Sequence, residues 1–366
     1  MSLHNSETNI YHHNQEFGLE NGSSLPGLVI NYTTSGELSP KKDNVVWIFH
    51  ALTANADPIQ WWPGLVGEGH RIDPSKYFIV CANILGSCYG STGPRSINPK
   101  SGKPYGLDFP VITVKDMVNA HKILQKELNI DQIYLGIGGS MGGQQLLEWS
   151  IANPDLFKNI SLVATNARHS PWGIAFNESQ RLALKADSTF FNNEDDAGQK
   201  GMKAARAVAM LSYRNQLTYE MAQLDSNGII DNYKASSYQE YQGEKLVKRF
   251  NAHSYYYLSK AMDSHNAGRG WDSIEIALKQ IKARTSVIGI KTDLLFTPRE
   301  QTFLAENIPQ SKLFMIDSTY GHDGFLVETK KLSDILDIFL GDKPISSKGN
   351  PVSSRQGFPP EDRKPF

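Results

Sequence analysis

A serine, a histidine and a carboxylate can transfer acyl groups together. The histidine takes the serine's proton, and the carboxylate orients the histidine. Ser140 lies in Gly138-Gly139-Ser140-Met141-Gly142, a G-x-S-x-G pattern. An apolar run, Ile133-Tyr134-Leu135-Gly136-Ile137, precedes it. Gly143, Leu146, Leu147 and Ile151 follow near helical spacing until Asn153-Pro154. The pattern predicts a nucleophile elbow, a sharp strand-to-helix turn that holds the serine out in a strained conformation. Its glycines leave room where any side chain would strike strand or helix. Downstream, the apolar run Thr285–Ile290 leads into Lys291-Thr292-Asp293. A second run, Leu313–Ile316, leads into Asp317-Ser318-Thr319-Tyr320-Gly321-His322-Asp323-Gly324. Asp293 and His322 are therefore the candidate acid and base. Asp317 competes for the acid role, but it follows the strand that already carries the histidine.

These side chains need elements to hold them. Val45–Phe49 and Tyr77–Ala82 read as strands buried on both faces. A helix is predicted from Val114 to Leu128, and another strand over Ile160–Thr165. Strand patterning then stops, and helix-like segments rich in Tyr, Arg, Lys and Gln take over: Asn177–Lys185, Gly198–Tyr213, Tyr238–Arg249 and Ser254–Asp263. Strands resume after them, so the helical stretch reads as an insertion rather than a separate domain. The alternation predicts an α/β protein with a mostly parallel sheet and an inserted helical cap. The expected boundaries are a flexible arm at 1–24, a core at 25–167 and 273–342, a cap at 168–272, and a disordered tail at 343–366.

The order serine, acid, histidine is that of the α/β-hydrolase fold. That architecture supplies two backbone N–H groups to the oxyanion. One belongs to Met141, directly after the nucleophile. The other comes from the turn His50-Ala51-Leu52-Thr53, with Leu52 the preferred donor. His50 is expected to shape that turn, since His322 already fills the role of base.

Composition narrows the class. The chain has 366 residues, 40% of them hydrophobic and 20% charged, with a formal net charge of −1. Near-neutrality argues against nucleic acid or an anionic membrane surface as principal partner. Cys81 and Cys88 cannot build a disulfide framework, and no metal-ligand spacing occurs, so no metal site is expected. Without an apolar leader or a spanning run, a cytoplasmic location is expected.

Several longer motifs resemble the homoserine O-acetyltransferases. They are His50-Ala51-Leu52-Thr53, Trp61-Trp62-Pro63-Gly64-Leu65-Val66-Gly67 and Asn83-Ile84-Leu85-Gly86-Ser87-Cys88-Tyr89-Gly90-Ser91-Thr92-Gly93-Pro94. The elbow, Asn266-Ala267-Gly268-Arg269-Gly270 and Tyr320-Gly321-His322-Asp323-Gly324-Phe325-Leu326 belong to the same set. The resemblance spans roughly residues 15–342. It implies Ser140, Asp293 and His322 as triad, with Arg206 and Asp323 binding the amino-acid acceptor. Arg181 and Arg214 lie in similar helices, and Asp323 could instead cap the last helix. It further implies acetyl-CoA as co-substrate with no bound cofactor, L-homoserine as acceptor, a product on the route to methionine, and a homodimer assembled through the cap. Two departures stand out: Gly289-Ile290-Lys291-Thr292-Asp293 lacks the commoner serine before the aspartate, and Thr53-Ala54-Asn55 replaces a glycine-containing turn. A succinyl donor, a serine acceptor or plain ester hydrolysis share every feature named so far.

Overall fold

The computed structural model describes residues 6–341. The expected tail at 343–366 lies outside them. Eight strands form one sheet: β1 (Glu7–His13), β2 (Leu28–Ser35), β3 (Val45–Phe49), β4 (Phe78–Ala82), β5 (Ile133–Gly139), β6 (Phe157–Val163), β7 (Arg284–Ile290) and β8 (Ser311–Ile316). Their order is β1-β2-β4-β3-β5-β6-β7-β8. β2 runs antiparallel to both neighbours, and every later pairing is parallel. All five residues of β3 are buried. Val45, Trp47 and Phe49 enter one apolar cluster while Val46 and Ile48 enter the other, so the sheet is covered on both faces.

Helices α1 (Val114–Glu127) and α2 (Met141–Ala152) pack into the first cluster through Met117, Leu124, Leu146 and Trp149. A reciprocal capping box between Thr113 and Asp116 starts α1. Between β6 and β7 the chain is helical: α3 (Pro171–Ala186), α4 (Gln199–Tyr213), α5 (Gln216–Gln223), α6 (Lys234–Val247) and α7 (Ala252–Asp263). α3 starts six residues before the expected Asn177, because Ser170 caps it by accepting from Gly173 N–H and Pro171 fits the first turn. α8 (Pro298–Asn307) follows β7, and α9 (Thr329–Leu340) closes the second cluster with Leu332 and Leu336.

The arm expected at 1–24 requires correction. Residues 7–13 form the edge strand β1, paired with β2 from Glu7↔Thr34 to His13↔Leu28, and Phe17 and Leu19 are buried behind it. An edge strand keeps one margin and much of its surface in water, so its sequence stays polar and hides the backbone pairing that fixes it.

At the β5–α2 junction Ser140 has φ 56 and ψ −125, a left-handed conformation costly for a residue with a side chain. It persists because both flanks are locked. Ser140 N–H donates to Val163 O at 2.9 Å, and Thr165 Oγ1–H donates to Ser140 O at 2.8 Å. A Cβ on Gly142 would stand 2.1 Å from Phe49 O, and one on Gly138 would stand 2.5 Å from the Gly142 backbone. Neither neighbour can yield, since both belong to central backbone. Gly142→Ala should therefore cost at least about 1–3 kcal/mol of stability and lower Tm clearly. Gly228→Ala, with nothing within 4 Å of its Cβ, should leave the melting curve unchanged.

Three buried histidines set an acid limit. Burial lowers His121 and His50 to about 4 and His169 to about 3. An unfolded histidine titrates near ~6.5, so below that pH the unfolded chain binds the extra protons. Stability is then complete above about pH 6.5 and lost as pH falls towards 4. Urea midpoints measured across this window should decline steadily, and His121→Gln should flatten the decline.

Candidate active site

Ser140, His322 and Asp293 meet at the carboxyl ends of β5, β8 and β7. Asp293 accepts from His322 Nδ1–H at 2.7 Å on Oδ2, which leaves His322 Nε2 to accept from Ser140 Oγ–H at 2.9 Å. The other Asp293 oxygen accepts from Leu295 N–H at 2.8 Å and Phe296 N–H at 2.9 Å. The carboxylate is thus saturated and cannot rotate away from the histidine. Phe296 stacks on the imidazole with ring centres 5.0 Å apart, and Phe325 packs against it at 5.2 Å. All three triad side chains are buried. Asp317 instead pairs with Lys291 on the surface, so the structure separates the two candidate acids.

The neighbouring turn is held by polar contacts. His50 Nδ1–H donates to Ala51 O at 2.8 Å, and His50 Nε2 accepts from Ile84 N–H at 3.1 Å. Both ring nitrogens are engaged and burial keeps the imidazole neutral, so His50 shapes the turn and is no base. Beneath it, Gln145 Nε2–H reaches His50 O at 3.4 Å and Met141 O at 3.2 Å, while its Oε1 lies 3.0 Å from His121 Nε2. Leu52 N–H has no acceptor among the described residues. Met141 N–H opens α2, where a helix has no partner to offer. Both N–H groups named as donors from the sequence are thus without an intramolecular acceptor among the described residues.

The cap's arginines divide by environment. Arg181 pairs with Asp263 and Glu178 inside the cap, which is a packing role. Arg206 is buried, its guanidinium lies 5.2 Å over the Tyr213 ring, and its Nε has no acceptor among the described residues. Tyr213 in turn lies 5.8 Å from the His322 ring. A buried guanidinium with no carboxylate partner among the described residues, one aromatic ring from the base, has the chemistry to accept an anion.

Asp323 makes no capping bond to the helix that follows it. Instead Arg214 Nε approaches its Oδ2 at 2.9 Å, with both side chains largely buried. Sequence reasoning named Arg214 only as a rival to Arg206, and the structure makes it Asp323's counter-ion. A positive residue immediately after Tyr213, at the end of the helix that carries Arg206, was the available signal. The cap end also rests on both triad loops: Asn215 Nδ2–H donates to Thr292 O at 3.3 Å, and a Cβ on Gly321 would meet the Arg214 backbone at 2.9 Å.

Residues 44–329 match the profile of the alpha/beta hydrolase fold. The homoserine O-acetyltransferase of Cyclobacterium marinum is 48% identical over 330 residues, covering 90% of this chain and 94% of that one. Among solved structures, esterase E22 superposes with a TM-score of 0.83 at 24% identity, covering 92% of this chain and 100% of that one. Homoserine O-acetyltransferase from Bacillus anthracis gives the same TM-score, 0.83, at 24% identity, covering 92% and 98%. An esterase and a transferase fit the backbone equally well, so the structures speak for the fold and the sequence identity speaks for the family. The chain belongs to the homoserine O-acetyltransferase family of the α/β-hydrolase fold.

Proposed function

We propose that the chain transfers an acetyl group from acetyl-CoA to the side-chain hydroxyl of L-homoserine by a ping-pong mechanism, giving O-acetyl-L-homoserine for methionine synthesis in the cytoplasm. The observation that carries the catalytic part is the unbroken chain from Asp293 through His322 to Ser140, at 2.7 and 2.9 Å. His322 Nε2 takes the proton of Ser140 Oγ as that oxygen attacks the thioester carbon. The oxyanion is held by Leu52 and Met141 N–H. Collapse breaks the carbon–sulfur bond, CoA leaves as the thiol with the proton from His322, and acetyl-serine remains. The homoserine hydroxyl then gives its proton to His322 and attacks the acetyl carbon, and Ser140 recovers its proton as it leaves.

The acceptor is a zwitterion. Arg206, with no carboxylate partner among the described residues, offers a fork for the acceptor's carboxylate. Asp323 keeps Oδ1 for its ammonium, because Arg214 holds only Oδ2. A nearby charge pair supports this placement: the Tyr213 phenol, raised chiefly by burial, is lowered by Arg206 and raised by Asp323. Both charges therefore act at one spot beside His322.

The same reading includes a homodimer formed through the cap. Leu211, Leu217, Met221, Leu224 and Ile230 stand exposed on or beside α4 and α5, more apolar surface than an unpartnered cap would carry. Light scattering that returns the monomer mass at micromolar concentration would reject this part alone.

Ser140→Ala should abolish acetyl-enzyme formation, read as the loss of one acetyl added to the intact mass on mixing with acetyl-CoA. Arg206→Met should raise KM for homoserine roughly 10- to 100-fold, the worth of a charged hydrogen bond, with little effect on acetyl-enzyme formation. Parallel thiol-release assays with succinyl-CoA, with serine and with no acceptor separate the alternatives. Faster turnover with succinyl-CoA or serine, or full turnover without acceptor, would replace the proposed reaction.

A further inference from the structure

The turn that offers Leu52 N–H is connected to the cap by a continuous line of hydrogen bonds. It begins at Arg249, just past the end of α6. The Arg249 guanidinium donates to Thr53 O, and its Nη1 also reaches Tyr89 OH at 2.8 Å. Thr53 C=O and Ala54 N–H belong to one planar peptide and point in opposite directions. Ala54 N–H donates to Ala51 O at 3.0 Å. Ala51 C=O and Leu52 N–H again share one peptide. Two peptide groups are therefore aligned head to tail, with a guanidinium at one end and the free Leu52 N–H at the other.

Each bond in such a row polarises the next, strengthening the terminal donor. The row also fixes direction. Ala51 O accepts from both Ala54 N–H and His50 Nδ1–H, so the plane that carries Leu52 N–H is gripped on its far side. His50 grips it from the core, and Arg249 from the cap.

Arg249 is itself well placed. The next residue, Phe250, is buried and packs edge-on against Tyr89 at 5.6 Å. Asn251 caps α7 by accepting from Ser254 N–H at 3.0 Å. The α6–α7 corner is thus anchored over the loop after β4. Among the described residues the side-chain hydrogen bonds of Arg249 go to uncharged oxygens of Thr53 and Tyr89, and no carboxylate there takes up its charge.

We infer that Arg249 is a positioning residue for acyl transfer, acting through the Thr53–Ala54 and Ala51–Leu52 peptides to orient and polarise the Leu52 N–H that receives the oxyanion. The inference rests on the proposed role of Leu52 in acyl transfer. Its effect must be independent of the acyl donor, because the developing oxyanion is the same for a thioester and an activated ester. A guanidinium that merely held the phosphates of CoA would act on one donor only.

The test compares acetyl-CoA with p-nitrophenyl acetate, a neutral donor, in single-turnover acylation of Ser140. Direct removal of an oxyanion donor costs roughly 10²–10³ in rate. Arg249 acts through two peptides, so Arg249→Met should slow acylation about tenfold with both donors. Burst amplitude and the KM for homoserine should stay unchanged. Arg249→Lys, which keeps the charge and one donor, should recover most of the rate. A loss confined to the KM for acetyl-CoA, or no loss, would overturn the inference. If Arg249→Met melts early, Tyr89→Phe serves instead: it releases one anchor of the guanidinium and should slow both donors by a smaller, equal factor. Equal wild-type rates for Tyr89→Phe would count against the inference as well. A wild-type protein that gives no burst with either donor would overturn the acyl-transfer reading itself, which is a separate failure.

Discussion

The site depends on one constrained backbone position. Ser140 sits at φ 56, and only a turn tight enough to impose that angle lifts Oγ clear of the sheet while starting α2 immediately behind it. The turn is tight because β3 and α2 touch through Gly142, where a methyl group would stand 2.1 Å from Phe49 O. That contact brings the end of β3 against the start of α2, and with it the His50–Thr53 turn beside Met141. The two N–H groups proposed as oxyanion donors are thus neighbours for the same steric reason that the serine is strained. Strain and preorganisation share one origin here.

The rest of the machinery resists motion in a complementary way. Asp293 spends one oxygen on two backbone N–H groups and the other on His322. His322 is gripped between Phe296 and Phe325. His50, buried and neutral, ties Ala51 to Ile84 without competing for protons. A base that must shuttle a proton gains from neighbours that cannot take it.

Much of this was legible in the sequence because the signals were local. The elbow is a contiguous motif, and Asp293 and His322 each follow an apolar run that reads as a strand, buried in β7 and half-buried in β8 at the end of the sheet. What was not legible depended on pairing across the chain. β1 reads as a polar arm, since an edge strand is specified by a partner 15 to 27 residues away, from His13↔Leu28 to Glu7↔Thr34, rather than by its own hydrophobicity. Three arginines in similar helices could not be told apart by composition. Their carboxylate partners distinguish them: Asp263 for Arg181, Asp323 for Arg214, and none among the described residues for Arg206. The row of peptides from Arg249 to Leu52 has no sequence signature, because the acceptors are backbone carbonyls.

The equal superposition on an esterase and on a transferase locates where selectivity must arise. A triad and an oxyanion hole set the rate at which an acyl-serine forms, but they are indifferent to what resolves it. Water is always present at high concentration, so transfer wins only if the acceptor is held at the acyl carbon more effectively than water. The cap supplies the means. Its α4 end lies against the loops of Asp293 and His322, and it brings Arg206 and Arg214 towards the base, where Asp323 follows His322 on the core loop. In the proposed reaction, two positive charges and one negative charge leave a net demand for a carboxylate next to a site for an ammonium. A zwitterionic amino acid satisfies both, whereas a simple alcohol or water satisfies neither. For the proposed reaction the choice between hydrolysis and transfer is electrostatic, and it rests on the cap arginines together with Asp323 rather than on the triad.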